Sequence, residues 1–154
     1  MTTPPVPTLA PVFDVRVTLE APLEFGATSA GGRRIIPITG GEITGALEAE
    51  ILPGGADWQR VRADGSLEID GRYTARTREG ELVYLSVRGL RTGPAEVLAA
   101  LGRGDDVDPG DYYFRTSVTF EASTPRLAWL QESLFIASCI REARAVRYTA
   151  YQVS

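Results

Sequence analysis

The chain has 154 residues, a length that suits one domain with a single hydrophobic core and is short for two. Its composition, 44% hydrophobic and 23% charged, is that of a globular protein, and no window of about 18 apolar residues could span a bilayer. All 16 positive charges are arginine, and lysine, histidine and asparagine are absent. This excludes a lysine Schiff base and an imidazole base, so any chemistry must rest on Asp, Glu, Tyr, Arg, Ser or Thr.

The charge balance and the N-terminal sequence argue against several classes of protein. A net charge of −4 with scattered arginines does not suit a nucleic-acid binder. Residues 1–11 lack the basic and apolar regions of a secretory signal, and we interpret them as a flexible lead-in before one domain at 12–154. The single cysteine, Cys139, argues against a zinc site and for a reducing compartment. We therefore expect no nucleic acid, membrane, metal or cofactor, and a cytoplasmic location.

Apolar and polar residues alternate along most of the chain, which is the pattern of half-buried β-strands. The first example is the segment 14–20, in which Val15, Val17 and Leu19 alternate with polar residues. In chain order, the predicted strands cover residues 14–20, 33–38, 42–52, 57–62, 67–78, 82–90, 112–122, 135–140 and 146–153. The glycines within 40–45 predict a bend or a bulge.

Two short helices are predicted between the strands. Residues 95–101 have the pattern of about two helical turns, and Thr124 followed by Pro125 predicts a helix that runs to about residue 133. The frequent turn signals between strands are typical of an antiparallel meander. About eight strands with two short helices predict an all-β fold, namely a single antiparallel up-and-down barrel. Such a barrel has no exposed sheet edge and is wide enough to hold one small ligand.

The most distinctive local sequence is Leu-Pro-Gly-Gly-Ala-Asp-Trp-Gln at residues 52–59. Its two glycines would let the backbone approach a ligand closely, and the carboxyl of Asp57 beside the indole of Trp58 resembles an environment that raises a carboxyl pKa. Such a carboxyl can act as a general acid or base near neutral pH. The simpler interpretation is a turn whose aspartate caps its own backbone and whose tryptophan closes a barrel end.

Several other motifs accompany this segment in a fixed order. They are residues 32–41, Gly45, 53–58, the turn at 64–65, 70–73, 113–116, 120–121 and 129–130. Together they resemble the small bacterial and fungal family catalogued as domain of unknown function 3237, over about residues 12–153. The resemblance implies a compact single-domain β-barrel, broadly similar to lipocalin-like or allene-oxide-cyclase-like barrels, and it implies no particular activity.

The alternation also predicts which side chains face the lumen. Tyr73 shares a face with the apolar residues of its strand and should point inward. In the segment 112–122 the apolar face is the favoured interior, but a ligand-binding barrel with a polar lumen would instead enclose Arg115 and Glu121. A buried arginine would then need a carboxylate partner, which Glu121 or Asp57 could supply.

Our first hypothesis is a cofactor-independent enzyme that acts in the barrel on a small hydrophobic or aromatic, carbonyl-bearing metabolite. The reaction would be an isomerisation, a cyclisation, a dehydration or a related lyase step, promoted by a preorganised cavity and an acid/base group. Asp57 and Tyr73 are the candidate proton-transfer residues. The residues expected to bind the substrate or to shape its pocket are Arg34, Trp58, Arg115, Glu121 and Trp129.

Two alternatives belong to other classes of function. One is a barrel that carries a small apolar ligand without changing it. The other is a structural or assembly module with a filled barrel and an apolar interface, so association into a homo-oligomer stays open. An apolar lumen with Asp57 in solvent would refute the enzymatic hypothesis.

Overall fold

The computed structural model describes residues 2–154, of which residues 2–8 have no helix or strand. The ten strands are β1 (Leu9–Leu19), β2 (Leu23–Thr28), β3 (Gly31–Gly45), β4 (Ala49–Ile51), β5 (Ala56–Val61), β6 (Leu67–Thr77), β7 (Leu82–Thr92), β8 (Tyr113–Glu121), β9 (Leu134–Arg141) and β10 (Ala145–Val153). The helical segments are α1 (Ala95–Gly102) and the 3-10 segments Pro109–Asp111 and Pro125–Gln131. Within residues 2–154, no helix has the length and apolar character needed to cross a bilayer.

The strands form a closed antiparallel barrel with eight strand positions. From β6 to β10 each strand pairs with the next, β10 pairs with β1, and β1 pairs with β3. The short strands β4 and β5 share the position between β3 and β6. Neighbours in the barrel are therefore close in sequence around most of its wall, and the predicted up-and-down barrel with two short helices is confirmed.

The structure differs from the predicted elements around β3. This strand is continuous over 15 residues, whereas the sequence pattern predicts separate strands at 33–38 and 42–52. Gly41 lies at its bend with φ +140°, and a Cβ atom there would collide with the carbonyl of Arg16 on β1. The strand β2, which was not predicted, pairs only with β3 and forms a hairpin beside the barrel wall. All six of its residues are exposed, so it lacks the alternation that burial imposes.

One end of the barrel is closed by aromatic side chains. The ring of Phe13 lies 5.4 Å from that of Phe120 and 5.8 Å from that of Phe135. The segment Pro125–Gln131 covers this end and places Trp129 5.8 Å from Phe13. A helical segment was predicted here. Its Trp129 and the three phenylalanine rings together form an aromatic plug at this end of the barrel.

The other end of the barrel is polar inside. It is formed by the first residues of β3 and by the last residues of β7 and β9, where Arg34, Arg91 and Arg141 are buried. Side chains alternate along each of these strands, and the arginines occupy the inward phase. The two ends of the barrel therefore differ sharply in chemistry.

Candidate functional site

The barrel encloses a cavity of about 50 Å³ toward its polar end. Its wall is largely apolar, with Ile36, Ile69 and Val87 among the lining residues, and its polar lining residues are Asp57, Gln59, Tyr73, Arg91, Thr116, Arg141 and Tyr148. A mainly apolar cavity with a few convergent polar groups is the usual form of a small-molecule site. Its volume suits a few water molecules or the reactive end of a ligand.

Asp57 is held in this cavity by β5. It pairs across the sheet with Ile36 on one side and Gly71 on the other, which are both cavity residues. Its carboxyl accepts hydrogen bonds from Gln59 Nε2 at 2.7 Å and from the backbone N–H of Asp70 at 3.1 Å. The residue keeps some solvent exposure, but its carboxyl lies among buried groups. Burial raises its pKa above the ordinary range, although the two hydrogen bonds oppose this.

Two buried tyrosines form the deeper polar contact of the cavity. The hydroxyls of Tyr73 on β6 and Tyr148 on β10 are hydrogen-bonded to each other across the lumen. Burial raises the pKa of both hydroxyls, that of Tyr73 well above its ordinary value. The charge of Asp57 adds to this effect on Tyr73. Both phenols therefore stay protonated at neutral pH, and Tyr73 can donate a hydrogen bond but not act as a base.

Three buried arginines surround the polar end of the site. Arg34, Arg91 and Arg141 have 6%, 3% and 8% exposed surface. Burial, followed by the charges of Arg141 and Arg34, lowers the pKa of Arg91 to about 10, and burial and Arg34 also lower the pKa of Arg141. These effects place the three guanidinium groups within electrostatic reach of one another. Arg91 and Arg141 remain charged at neutral pH, and Asp57 is the carboxyl that favours their charged forms.

The structure brings together three of the residues singled out from the sequence. Asp57 and Tyr73 both line the cavity, and Arg34 is buried opposite Gln59, which also lines it. Trp58 does not join them, because neighbouring residues of a strand point to opposite faces. Its side chain is 37% exposed and lies in an outer groove with Arg60.

The remaining sequence-predicted site residues also lie away from the cavity. Arg115 and Glu121 are exposed on β8. The buried residues of this strand are Phe114, Thr116, Val118 and Phe120. The favoured apolar interior is therefore correct, and the alternative polar lumen on β8 is wrong. Arg115 instead lies over the ring of Tyr113, 5.5 Å from its centre. Trp129 belongs to the aromatic plug, which makes it a packing residue at the opposite end.

Sequence reasoning missed Arg91, Arg141 and Tyr148 as site residues, although a signal for each was present. Arg91 continues the buried phase of β7, which includes Leu85 and Val87. Arg141 and Tyr148 likewise fall on the buried phases of β9 and β10. A charged residue on the apolar phase at a strand end is thus a usable sign of a barrel site. Within residues 2–154, no group of three or more carboxylate or cysteine side chains is arranged to hold a metal ion.

Comparison with known proteins supports the fold over the whole chain. A UPF0311 protein of Bradyrhizobium diazoefficiens is 41% identical over 142 residues, which cover 92% of this chain and 93% of that protein. The crystal structure of a beta-barrel like protein from Acinetobacter baumannii is 44% identical, with a TM-score of 0.87 and complete coverage of both chains. The crystal structure of an enzyme from Penicillium herquei has a TM-score of 0.72 at 18% identity, covering 100% of this chain and 99% of that one.

The last of these neighbours is similar in fold alone, whereas the first two are relatives in sequence as well. The family model described as protein of unknown function (DUF3237) matches residues 7–153. This match spans every strand of the barrel and every cavity residue described above. The chain therefore belongs to the DUF3237 family.

Proposed function

We propose that the protein is a cofactor-independent enzyme that acts on a small, hydrophobic, carbonyl-bearing metabolite inside the barrel. The observation that carries this proposal is the carboxyl of Asp57, which faces an otherwise largely apolar cavity and has a raised pKa. A carboxylate with a raised pKa is a stronger base than that of a free aspartate, which suits it to take a proton from a substrate and return it. A protein of similar fold from Penicillium herquei is described as an enzyme, which supports the proposal by analogy of fold alone.

The surrounding groups suit proton transfer next to a carbonyl. Asp57 would remove a proton from carbon, and the electron pair would move to the carbonyl oxygen to give an enolate. The Tyr73 hydroxyl, which stays protonated, would donate a hydrogen bond to that oxygen, and Arg91 would stabilise its negative charge. Return of the proton at a different carbon would complete an isomerisation. Attack of the enolate on an internal electrophile, which then takes the proton from Asp57, would complete a cyclisation. Loss of a β-leaving group that takes the same proton would complete an elimination.

The experiment is a ligand screen followed by a turnover assay on the ligands that bind. Asp57→Asn and Tyr73→Phe should each lower kcat for the identified substrate, with the larger loss, about 100-fold or more, for Asp57→Asn. Asp14→Asn is the matched control, because this exposed aspartate on β1 does not line the cavity and its carboxylate accepts a hydrogen bond from Thr149 instead. Full turnover by both cavity variants would refute the assignment.

A barrel that binds the same ligand without changing it is the second candidate, and the largely apolar wall of the cavity favours it. The same screen separates the two functions, because a bound ligand would then be recovered intact after long incubation with the protein. A cytoplasmic location and association into a homo-oligomer remain predictions. Cell fractionation and analytical ultracentrifugation would test them.

A further inference from the structure

We propose that Arg34, Arg91 and Arg141 form a binding subsite for a carboxylate group of the ligand. This inference rests on the proposed function and narrows its substrate class to carbonyl compounds that carry a carboxylic acid. Two of the three arginines line the cavity directly, and Arg34 is buried at the same end of the barrel. The hydrophobic part of such a ligand would lie against the apolar wall beyond them.

The balance of buried charge is the first argument for this subsite. Three guanidinium groups share this end of the barrel with one buried carboxyl, that of Asp57. Even when Asp57 is ionised, two positive charges remain without a buried counter-charge. Buried charges are costly unless they are paired, so the site is built to receive at least one negative charge from outside.

The unused hydrogen-bond donors are the second argument. The Nε atoms of Arg34, Arg91 and Arg141 are buried and find no acceptor among the residues that the structure describes. The Arg91 guanidinium instead lies over the ring of Phe114, 5.6 Å from its centre. The aromatic face fixes the orientation of the guanidinium without occupying its N–H groups. A planar carboxylate matches the fork of N–H groups on one guanidinium and can accept two hydrogen bonds from it.

A displaceable carboxylate already lies at the rim of this subsite. Glu24 on β2 is paired across the hairpin with Arg34, and its Oε1 lies 3.2 Å from Arg34 Nε in an ion pair that lacks hydrogen-bond geometry. The Glu24 side chain is 62% exposed, whereas that of Arg34 is 8% exposed. A ligand carboxylate can therefore replace Glu24, which moves into water. Glu24 thus acts as a competitor for the arginines when no ligand is bound.

The test measures binding of simple probes to the full chain by isothermal titration calorimetry. Benzoate should bind at least about tenfold more tightly than its neutral analogue benzamide, because only benzoate supplies the charge. Arg91→Met should weaken benzoate binding by about tenfold or more, and Arg91→Lys should weaken it less. Inorganic phosphate is included, since tighter binding of phosphate than of benzoate would overturn the assignment to carboxylates.

Glu24→Gln is the sharper variant, because it lies on an exposed hairpin and should tighten benzoate binding by about threefold or more. Its matched control is Glu48→Gln, which removes an equally exposed carboxylate, 61% against 62%, that pairs with Arg78 at the other end of the barrel. Equal affinities of Glu24→Gln and Glu48→Gln for benzoate would overturn the proposal.

These measurements do not depend on turnover, so they fail separately from the proposed function. Asp57→Asn should still bind benzoate, because the arginines, and not Asp57, form the subsite. If benzoate binds as described but Asp57→Asn keeps full turnover of an identified substrate, the subsite stands and the catalytic assignment falls. If the identified substrate is neutral and Asp57→Asn is inactive, the catalytic assignment stands and the subsite falls.

Discussion

Replacing Arg91 by methionine should stabilise the ligand-free protein. Burial and two neighbouring arginines lower the pKa of Arg91 to about 10, against an ordinary value of about 12.5. One pKa unit corresponds to about 1.4 kcal/mol. The charged form of Arg91 is therefore about 3 kcal/mol less stable in the folded protein than in water. Methionine has a similar length and no charge, although it loses the contact with the Phe114 ring, worth about 1 kcal/mol. We therefore expect a net gain of about 1–3 kcal/mol.

The assay is urea unfolding at pH 7, followed by fluorescence, for the wild type and for Arg91→Met. The control is Arg88→Met on the same strand, because the Arg88 side chain is 70% exposed and its ion pair with Asp70 is weak at a distance of 3.8 Å. This control should change the free energy of unfolding by no more than about 0.5 kcal/mol. A loss of more than about 1 kcal/mol for Arg91→Met would refute the reasoning, because it would mean that the guanidinium is satisfied in the free protein.

Four further predictions concern the barrel and the turn between β6 and β7. Tyr73→Phe should cost about 1–2 kcal/mol by leaving the Tyr148 hydroxyl buried without its partner, and the double phenylalanine variant should cost less than the sum of the two single variants in urea unfolding. Gly55→Ala should destabilise the fold by about 2 kcal/mol or more, because its Cβ would lie 2.7 Å from the Cβ of Tyr73. Gly71→Ala should change the midpoint little, because its nearest neighbours would be 3.7 Å away, and its methyl group should weaken ligand binding by narrowing the cavity. Hydrogen bonds from an arginine and two threonines lower the pKa of Glu81 to about 2. The stabilisation by Glu81 is therefore fully present above about pH 4.5 and is lost as the pH falls through about 2, so Glu81→Gln should lower the urea midpoint at pH 6 and by much less near pH 2.

Much of the fold could be predicted because each strand of the barrel wall has one solvent-exposed face and one buried face. In β6 every second residue from Leu67 to Thr77 is buried, and the same period is visible in the sequence. The hairpin strand β2 could not be found in this way, because neither of its faces is covered. Its pairing with β3 is a backbone interaction that leaves no pattern of side-chain types.

The candidate site was predictable only in part, for a related reason. Alternation tells which face a side chain occupies, so it correctly turned Tyr73 inward. It does not tell how high along the barrel a residue lies, and so it could not bring Arg91 and Arg141 next to Asp57 from distant strands. Alternation also predicts that adjacent residues of a strand point to opposite faces. Asp57 and Trp58 were proposed as partners, and they lie on opposite faces of β5.

The position of β1 between β3 and β10 bears on how the barrel assembles. During synthesis β1 can pair with β3 early, but its other edge stays open until β10, more than 100 residues later, has left the ribosome. An unpaired edge of this kind is a template for pairing with another chain. Expression at low temperature or with chaperones should therefore raise the yield of correctly closed barrels.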